Sequence, residues 1–283
     1  MRVTAVVLSW NGREDTLACL RSLEGEDVDV VVVDNASEDG SADAVTGAEV
    51  IRNERNLGYA GGMNVGIHHA LERDADAVLL LNNDVELEPG AVGGLVAAME
   101  GAGAVCPVLV FADDPARVWY SGATFDPRRG YNGRHQTDRI AAVRETERIC
   151  GAAVLIPREV LEQVGPFDEQ LFAYHEDADW SLRARKQGLR LLVAPDSTVR
   201  HKVSASTGGE GSPGALYYSA RNLLAVSERH APLGRFGTHR RRLVALSALL
   251  AQALAAGRRR AGIRAVLEGW RDLRDGRFGP RSE

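Results

Sequence analysis

The chain has 283 residues, 45% of them hydrophobic and 26% charged, enough for one sizeable core, or one and a half domains, of ordinary soluble composition. Its net charge of −5 is unevenly spread: Arg229 to Glu283 holds 13 Arg, no Lys and 4 acids, a local surplus of 9, which leaves the rest of the chain at −14. An acidic body and a tail without aromatic interleaving argue against nucleic acid, while the wide spacing of Cys19, Cys106 and Cys150 argues against a zinc site or a disulfide framework.

In chain order, MRVTAVVLSWNG lacks a cleavage site and a full signal h-region, so it reads as a first strand at 4–10. Residues 13–25 space Leu17, Leu20 and Leu23 as a helix. VDVVVVDN (28–35) is a buried strand, followed by a helix over 37–45 with Ser37 as its N-cap. A short strand at 48–53 precedes a glycine-bearing helix at 59–73, and the apolar run at 76–82 is the next strand. A helix over 90–99 leads to the strand AVCPVLVF; 112–148 is weakly patterned and reads as a variable excursion or small hairpin. ICGAAVLIPREVLEQVG gives a strand then a helix, 180–187 a helix closed by Gly188, and LRLLVAPDSTVRHK (189–202) a last strand pair. From Ala215 the chain is helical.

Strands alternating with helices predict an α/β fold with a mostly parallel sheet and right-handed crossovers, and unbroken Val/Leu runs predict strands covered on both faces. We therefore expect an α/β unit at 1–212 and a basic helical extension at 213–283. No run reaches the roughly 18 apolar residues of a membrane span; LVALSALLAQALAA (243–256) comes closest, with arginine triplets on both sides, Arg240 to Arg242 and Arg258 to Arg260. Free thiols and the absence of a span suit a cytoplasmic protein. The basic tail suits contact with the anionic inner face of a membrane, and the apolar stretch is equally suited to a homodimer interface.

Polar clusters gather where the strands end, the usual ligand-binding edge of such a sheet. Ser9-Trp10-Asn11-Gly12 follows the first strand and Asp34-Asn35 the second. Capping accounts for Ser37 but not for Asp34, whose fixed acceptors suit a base edge. Gly58, Gly61, Gly62 and Gly66 miss the dinucleotide-fingerprint spacing; packing and ligand contact remain equal readings for them. In LLLNNDVELEPG, Asn82-Asn83-Asp84 surfaces from a buried strand with no basic residue nearby, an invitation to Mg²⁺ or Mn²⁺ that shares its remaining positions with phosphate and water. His175, Glu176, Asp177 and Asp179 crowd a helix start in FAYHEDADWSLRARKQG, more ionisable groups than a cap needs, and a carboxylate there suits a general base. His201, in HKVSAST (201–207), is a further metal-ligand candidate.

Taken together, VVLSWNG, VVVDNASEDGS, NLGYAGGMNVG, LNNDVELEPG and GPFDEQLFAYHEDADWSLRARKQG resemble, in order and spacing, the segments of inverting family 2 glycosyltransferases of GT-A fold, from residue 3 to about 279. YYSARN (217–222) and the closing GWRDLRDGRFG resemble the rhamnosyltransferase-like branch. The resemblance implies a nucleoside-diphosphate sugar donor, UDP- or dTDP-linked, and a sugar, lipid-linked or small-molecule acceptor. It places Asp34 on the base, with Ser9, Asn11, Asn35, Gly58 and Asn64 nearby and Asn83 supporting the donor. Asp84 and His201 would hold Mg²⁺ or Mn²⁺ on the diphosphate. Asp177 would be the base, paired with Glu176, while Asp179 and Trp180 would orient the acceptor and the helix. Asn82 stands where the family's DXD-type motif begins with Asp, which weakens the expected metal requirement. A sugar nucleotidyltransferase and a donor-binding protein without turnover are the alternative readings; WNGRED, poor in Gly and bearing acids, speaks against the first.

Overall fold

The computed structural model describes residues 1–129, 134–203, 211–257 and 259–282. Its first third is a repeated strand–helix unit: β1 (Val3–Ser9), α1 (Arg13–Ser22), β2 (Asp29–Asp34), α2 (Ser41–Ala44), β3 (Glu49–Arg52), α3 (Gly58–Glu72) and β4 (Ala77–Asn82). β3, β2, β1 and β4 pair in parallel, and the interiors of β1, β2 and β4 are almost wholly buried, as continuous Val/Leu runs require. α3 lies on β1 and β2. The approach is close enough that a Cβ on Gly66 would sit 2.2 Å from Val6 Cγ1, so this glycine serves packing.

Next come β5 (Val85–Leu87), α4 (Ala91–Ala97), β6 (Ala104–Phe111), β7 (Val118–Tyr120), β8 (Ala123–Thr124), β9 (Arg134–His135), β10 (Arg144–Thr146), β11 (Ala153–Pro157), α5 (Arg158–Val164), α6 (Glu176–Lys186) and β12 (Leu191–His201). The main sheet runs β10-β12-β6-β11-β4-β1-β2-β3, with β5 on β12 and β7 on β6. It is mostly parallel. β11, however, lies antiparallel between β4 and β6, and β5, β7 and β10 also pair antiparallel.

Several elements differ from expectation. LRLLVAPDSTVRHK is one strand rather than a pair: β12 follows β6 in parallel on both sides of a register shift between Ala194 and Thr198. Pro195-Asp196-Ser197 therefore makes a bulge and not a reversal, Pro195 having no N–H for the ladder. The 37–45 helix shrinks to Ser41–Ala44 with Gly40 at its N-cap, because the Ser37 hydroxyl accepts the Asn11 N–H at 2.8 Å instead of capping. α6 begins at Glu176, a turn earlier than expected, so its acids lie inside the first turn. The 112–148 excursion contains β7 and β10 and a separate β8–β9 pair, with 130–133 outside the described residues.

The C-terminal stretch forms α7 (Pro213–His230), α8 (Arg235–Ala255) and α9 (Arg259–Arg274). Ser212 caps α7, its Oγ accepting the Ala215 N–H at 3.2 Å. These helices do not stand apart: Leu223, Leu224 and Val226 of α7 and Ala245 of α8 share an apolar cluster with Phe125, Leu171 and Ala178. All three cysteines are buried free thiols, and burial pushes the Cys106 thiol up to about 12. Among the described residues no helix is long and apolar enough to cross a membrane.

Candidate active site

The parallel register brings three strand ends side by side. Ser9 lies opposite Asp34, and Leu8 opposite Asn82. Beyond β1 the chain turns sharply, with Asn11 at φ 59° and Gly12 at φ 78°. Asn11 Oδ1 accepts the Glu38 N–H at 3.0 Å, tying the first two strand ends together. Asn83 Nδ2 donates to the Asn11 carbonyl at 2.9 Å and to Thr16 Oγ1 at 3.0 Å, which adds the third. Ser9 Oγ completes this brace by sharing a hydrogen bond with Thr16 Oγ1 at 2.9 Å.

Within the braced edge, Asp34 is buried and its Oδ2 accepts the Ser37 N–H at 3.2 Å, whereas its Oδ1 has no hydrogen-bond partner. A buried carboxylate oxygen without a donor is costly unless a ligand supplies one. Asn35 differs. Its amide donates to Asn56 Oδ1 at 3.0 Å and the Gly58 carbonyl at 2.9 Å, and its oxygen accepts from Asn53 Nδ2 at 3.0 Å and the Leu57 N–H at 3.1 Å. All four of its hydrogen-bonding positions are filled, so it shapes the loop before α3. Asn64 is likewise engaged, by both backbone groups of Phe167 at 3.0 Å and by Glu169 Oε1 at 2.9 Å. Gly58, at φ 75°, backs onto Phe172, where a Cβ would lie 2.3 Å from the carbonyl oxygen. At these three positions, expected near the nucleotide, the contacts of the side chains and of the Gly58 backbone are to neighbouring loops.

Asp84 and His201 meet because β5 and β12 pair antiparallel, with His201 opposite Val85. Asp84 Oδ1 lies 3.4 Å from His201 Nε2, both side chains are nearly inaccessible, and Asp84 Oδ1 has no hydrogen-bond donor. A carboxylate oxygen and an imidazole nitrogen at this separation suit a divalent cation that takes its other ligands from phosphate and water. No group of three or more His, Cys, Asp or Glu that could hold a metal occurs among the described residues, and Asp84 and His201 are the pair they bring together. The remainder of HKVSAST, from Ser204, lies outside the described residues.

The second carboxylate group starts α6. Its approach is strained, with Phe172, Tyr174 and His175 all at positive φ (64°, 67° and 72°). Asp177 is partly open, its side chain 18% exposed, and its Oδ2 lies 4.0 Å from the Arg148 guanidinium. Glu176 is buried; desolvation, reinforced by the Asp177 charge, pushes its carboxyl up to about 8. Burial, with Arg148 nearby, drops His175 to about 3, so its ring is neutral. Asp179 is fully buried between Arg183 (2.9 Å), Arg229 (2.9 Å) and His230 (2.8 Å). Burial alone would raise its carboxyl, but the His230 hydrogen bond and the Arg183 charge hold it near 2. Trp180 is also fully buried, its Nε1 donating to the Gly165 carbonyl at 3.0 Å. Asp179 and Trp180, expected to orient the acceptor and the helix, are both fully buried, and their hydrogen bonds and ion pairs fasten α6 to α7 and to the Gly165 turn after α5.

Sequence reasoning missed what joins these groups. Trp119, on β7, packs edge-to-face between His201 (centroids 4.6 Å) and His135 (4.8 Å), and His135 Nε2 is 2.8 Å from the Arg148 guanidinium that faces Asp177. It also gave no role to YYSARN. In that motif Asn222 donates to the carbonyls of Leu171 and Ala173 at 2.8 Å and of Tyr174 at 2.9 Å, while Arg221 reaches the Leu171 carbonyl at 3.2 Å. Tyr218 stacks on Phe172 at 5.4 Å. The strained ribbon before the α6 carboxylates is thus held from beneath by α7. An Arg-Asn pair in an otherwise apolar helix stretch was the signal available.

Comparison with known proteins identifies the family. Residues 4–165 match the family model described as Glycosyl transferase family 2. The chain is 27% identical over 243 residues to the dTDP-rhamnosyl transferase RfbF of Shigella flexneri, covering 82% of each. It is 27% identical over 250 residues to the N-acetylglucosaminyl-diphospho-decaprenol L-rhamnosyltransferase of Mycobacterium tuberculosis, covering 77% of this chain and 80% of that one. Among solved structures, GalNAc-T7 with UDP, GalNAc and Mn²⁺ is similar at TM-score 0.63 and 17% identity, over 79% of this chain and 47% of that one. S. aureus TarS 1-349 in complex with UDP-GlcNAc is similar at TM-score 0.55 and 16% identity, over 98% and 93%. At such identities these two speak to the GT-A fold alone. With the family model spanning more than half of its length, the chain belongs to glycosyl transferase family 2 and is a glycosyltransferase acting on nucleotide sugars.

Proposed function

We propose that this enzyme transfers a deoxyhexose, rhamnose being the first candidate, from a UDP- or dTDP-sugar to an acceptor hydroxyl with inversion at the anomeric carbon. Residues 1–212 would form the donor-binding and catalytic unit, and 213–283 its helical extension. The observation that carries the reading is the buried Asp84–His201 pair, whose Asp84 Oδ1 lacks a donor, on the same sheet edge as the equally unpartnered Asp34 Oδ1. Asp34 would take a donor hydrogen from the base, while Ser9, Asn11 and Asn83 keep the strand ends in register around it. Asp84 and His201 would hold Mg²⁺ or Mn²⁺, which supplies charge neutralisation for the leaving diphosphate. Asp177 would accept the acceptor's proton as its oxygen bonds to the anomeric carbon. The bond from that carbon to the diphosphate oxygen breaks, and its electron pair leaves with the phosphate. Arg148 and the neutral Glu176 beside Asp177 keep one negative charge, not two, at that position. Likeness to rhamnosyltransferases, one named for a decaprenol-linked sugar, supports a lipid-linked acceptor. The basic extension is then the part suited to the membrane's anionic inner face.

A thermal-shift and hydrolysis panel of UDP-, dTDP- and GDP-sugars with and without Mn²⁺ tests the reading. We expect one nucleotide class to stabilise the protein in a metal-dependent way that Asp84→Ala removes. No stabilisation by any nucleotide under either condition would refute it.

A further inference from the structure

α8 runs for 21 residues, Arg235–Ala255, without one acidic side chain. Its inner side, with Arg241, Ala245, Leu249 and Ala253, is buried against the protein. The outer side of such a helix is ordinarily charged. Here it is apolar: Phe236 is 91% exposed, Leu243 69%, Leu254 49% and Val244 45%. At 3.6 residues per turn Phe236, Leu243 and Leu254 fall on one line along the helix, with Arg240 and Val244 beside it. On α9, Leu267, Arg259 and Arg260 are exposed as well, the two arginines following closely on the end of α8 in the chain.

Not every arginine here is available. Arg241 is buried and donates to the carbonyls of Pro127, Ser227 and Ala231, and Arg242 pairs with Glu228 at 2.7 Å. Those two fasten the helix to the body and thereby fix which side faces out. Arg240, Arg259 and Arg260 remain exposed.

We propose that this outer face of α8, with Arg240, Arg259 and Arg260, docks on an anionic lipid surface. Phe236, Leu243, Val244 and Leu254 enter the boundary between headgroups and acyl chains, and the arginines meet the lipid phosphates. The chemistry of the face selects this occupant. A two-fold pairing of the face with a second copy would set one basic, acid-free α8 against another. A nucleic-acid backbone would use the charges but leave the apolar line exposed. Lipid headgroups over acyl chains satisfy both features.

Flotation of the full-length protein with vesicles of phosphatidylcholine alone, or with phosphatidylglycerol added, tests this without any nucleotide present. Binding is expected only to the anionic vesicles and should weaken as salt rises, by about fivefold per arginine neutralised. Arg240→Glu with Arg260→Glu should lose more than about twentyfold in binding. Phe236→Ser with Leu243→Ser should lose binding even at low salt, while both double variants keep the parent melting temperature because all four side chains are exposed. Binding to neither vesicle, or to both equally, overturns the proposal. So does a dimer in light scattering that Phe236→Ser with Leu243→Ser makes monomeric while vesicle binding persists. A thermal shift with UDP- or dTDP-sugar on the same samples keeps failure of the donor reading separate from failure of this one.

Discussion

The side-chain amide of Asn222 lies 2.9 Å from the carbonyl of Tyr174, and that one helix contact reaches the backbone three residues before Asp177. The same nitrogen serves Leu171 and Ala173, and from the other side the Ala60 N–H donates to the Phe172 carbonyl at 3.2 Å. Residues in the left-handed region persist only where surroundings over-determine them. Asn222 is much of that surrounding. It places the first turn of α6, and with it the Asp177 carboxylate proposed as the base.

Asn222→Ala should therefore lower kcat by about a hundredfold through misplacement of Asp177, with stability reduced by about 1–3 kcal/mol for the carbonyls left without a donor. The donor-induced thermal shift should persist, since Asp34 and Asp84 sit on other elements. Steady-state kinetics beside a nucleotide-sugar melting series check this; a loss of donor binding equal to the loss of kcat would count against a positioning role.

Asp177→Asn should abolish transfer and leave donor binding intact, because the amide fills the same space but cannot take the acceptor's proton. Single-turnover assays and calorimetric donor titration separate the two. Parallel loss of both would remove Asp177 from the role of base.

Removal of either proposed metal ligand should act on the donor. At 100 times Kd a ligand adds about 2.7 kcal/mol of stability; Asp84→Ala and His201→Ala should each erase the Mn²⁺-dependent part of that gain. Chelator should do the same to the parent protein. A full shift surviving in chelator would mean that the diphosphate is held without a cation.

Asp179→Ala should behave as a folding variant. It strands Arg183, Arg229 and His230 around a vacated buried carboxylate, a loss of about 3–5 kcal/mol for a broken buried pair. Urea unfolding should register this, and acceptor KM should change little at temperatures where the variant is folded. A changed acceptor KM with unchanged stability would restore a direct role.

The two residues before Asp177 set opposing pH limits. Glu176 is raised from 4.5 to about 8, so the folded state holds a proton that the unfolded chain releases; its contribution is full below about 4.5 and is lost as pH rises through about 8. His175 is depressed from 6.5 to about 3, so its contribution is full above 6.5 and is lost as pH falls through about 3. Urea midpoints should fall as pH rises from about 6.5 to about 8 in the parent, where His175 no longer offsets the loss, and much less in Glu176→Gln, whose side chain is neutral throughout. An identical decline in both would exclude Glu176 as the source.

Much of the site's location was legible in the chain. Continuous Val/Leu runs ending in Asn11, Asp34 and Asn82-Asn83-Asp84 mark strands buried on both faces, and polar residues at such ends have few reasons to be there besides ligand. Harder to read was which polar residues stay open. Asn35 and Asn64 sit in the same kinds of cluster as Asp34, yet their donors and acceptors are consumed by Asn53, Asn56, Phe167 and Glu169. The antiparallel insertion of β11 between β4 and β6 was equally hidden, since a buried strand reads the same in either direction.

By itself the sequence determined the α/β alternation, the edge where chemistry collects, the family's segments in their order and the basic charge of the last helices. Those are properties of period and composition, which local residues set. Only the tertiary structure decided that Asp84 has an unpartnered oxygen facing His201, that Asp179 and Trp180 are fully buried, and that Asn222 holds the ribbon before Asp177. Each of these depends on a hydrogen-bond partner or a burial contributed by a distant segment, and such partners exist only once the strands have paired and α7 has packed beneath the site.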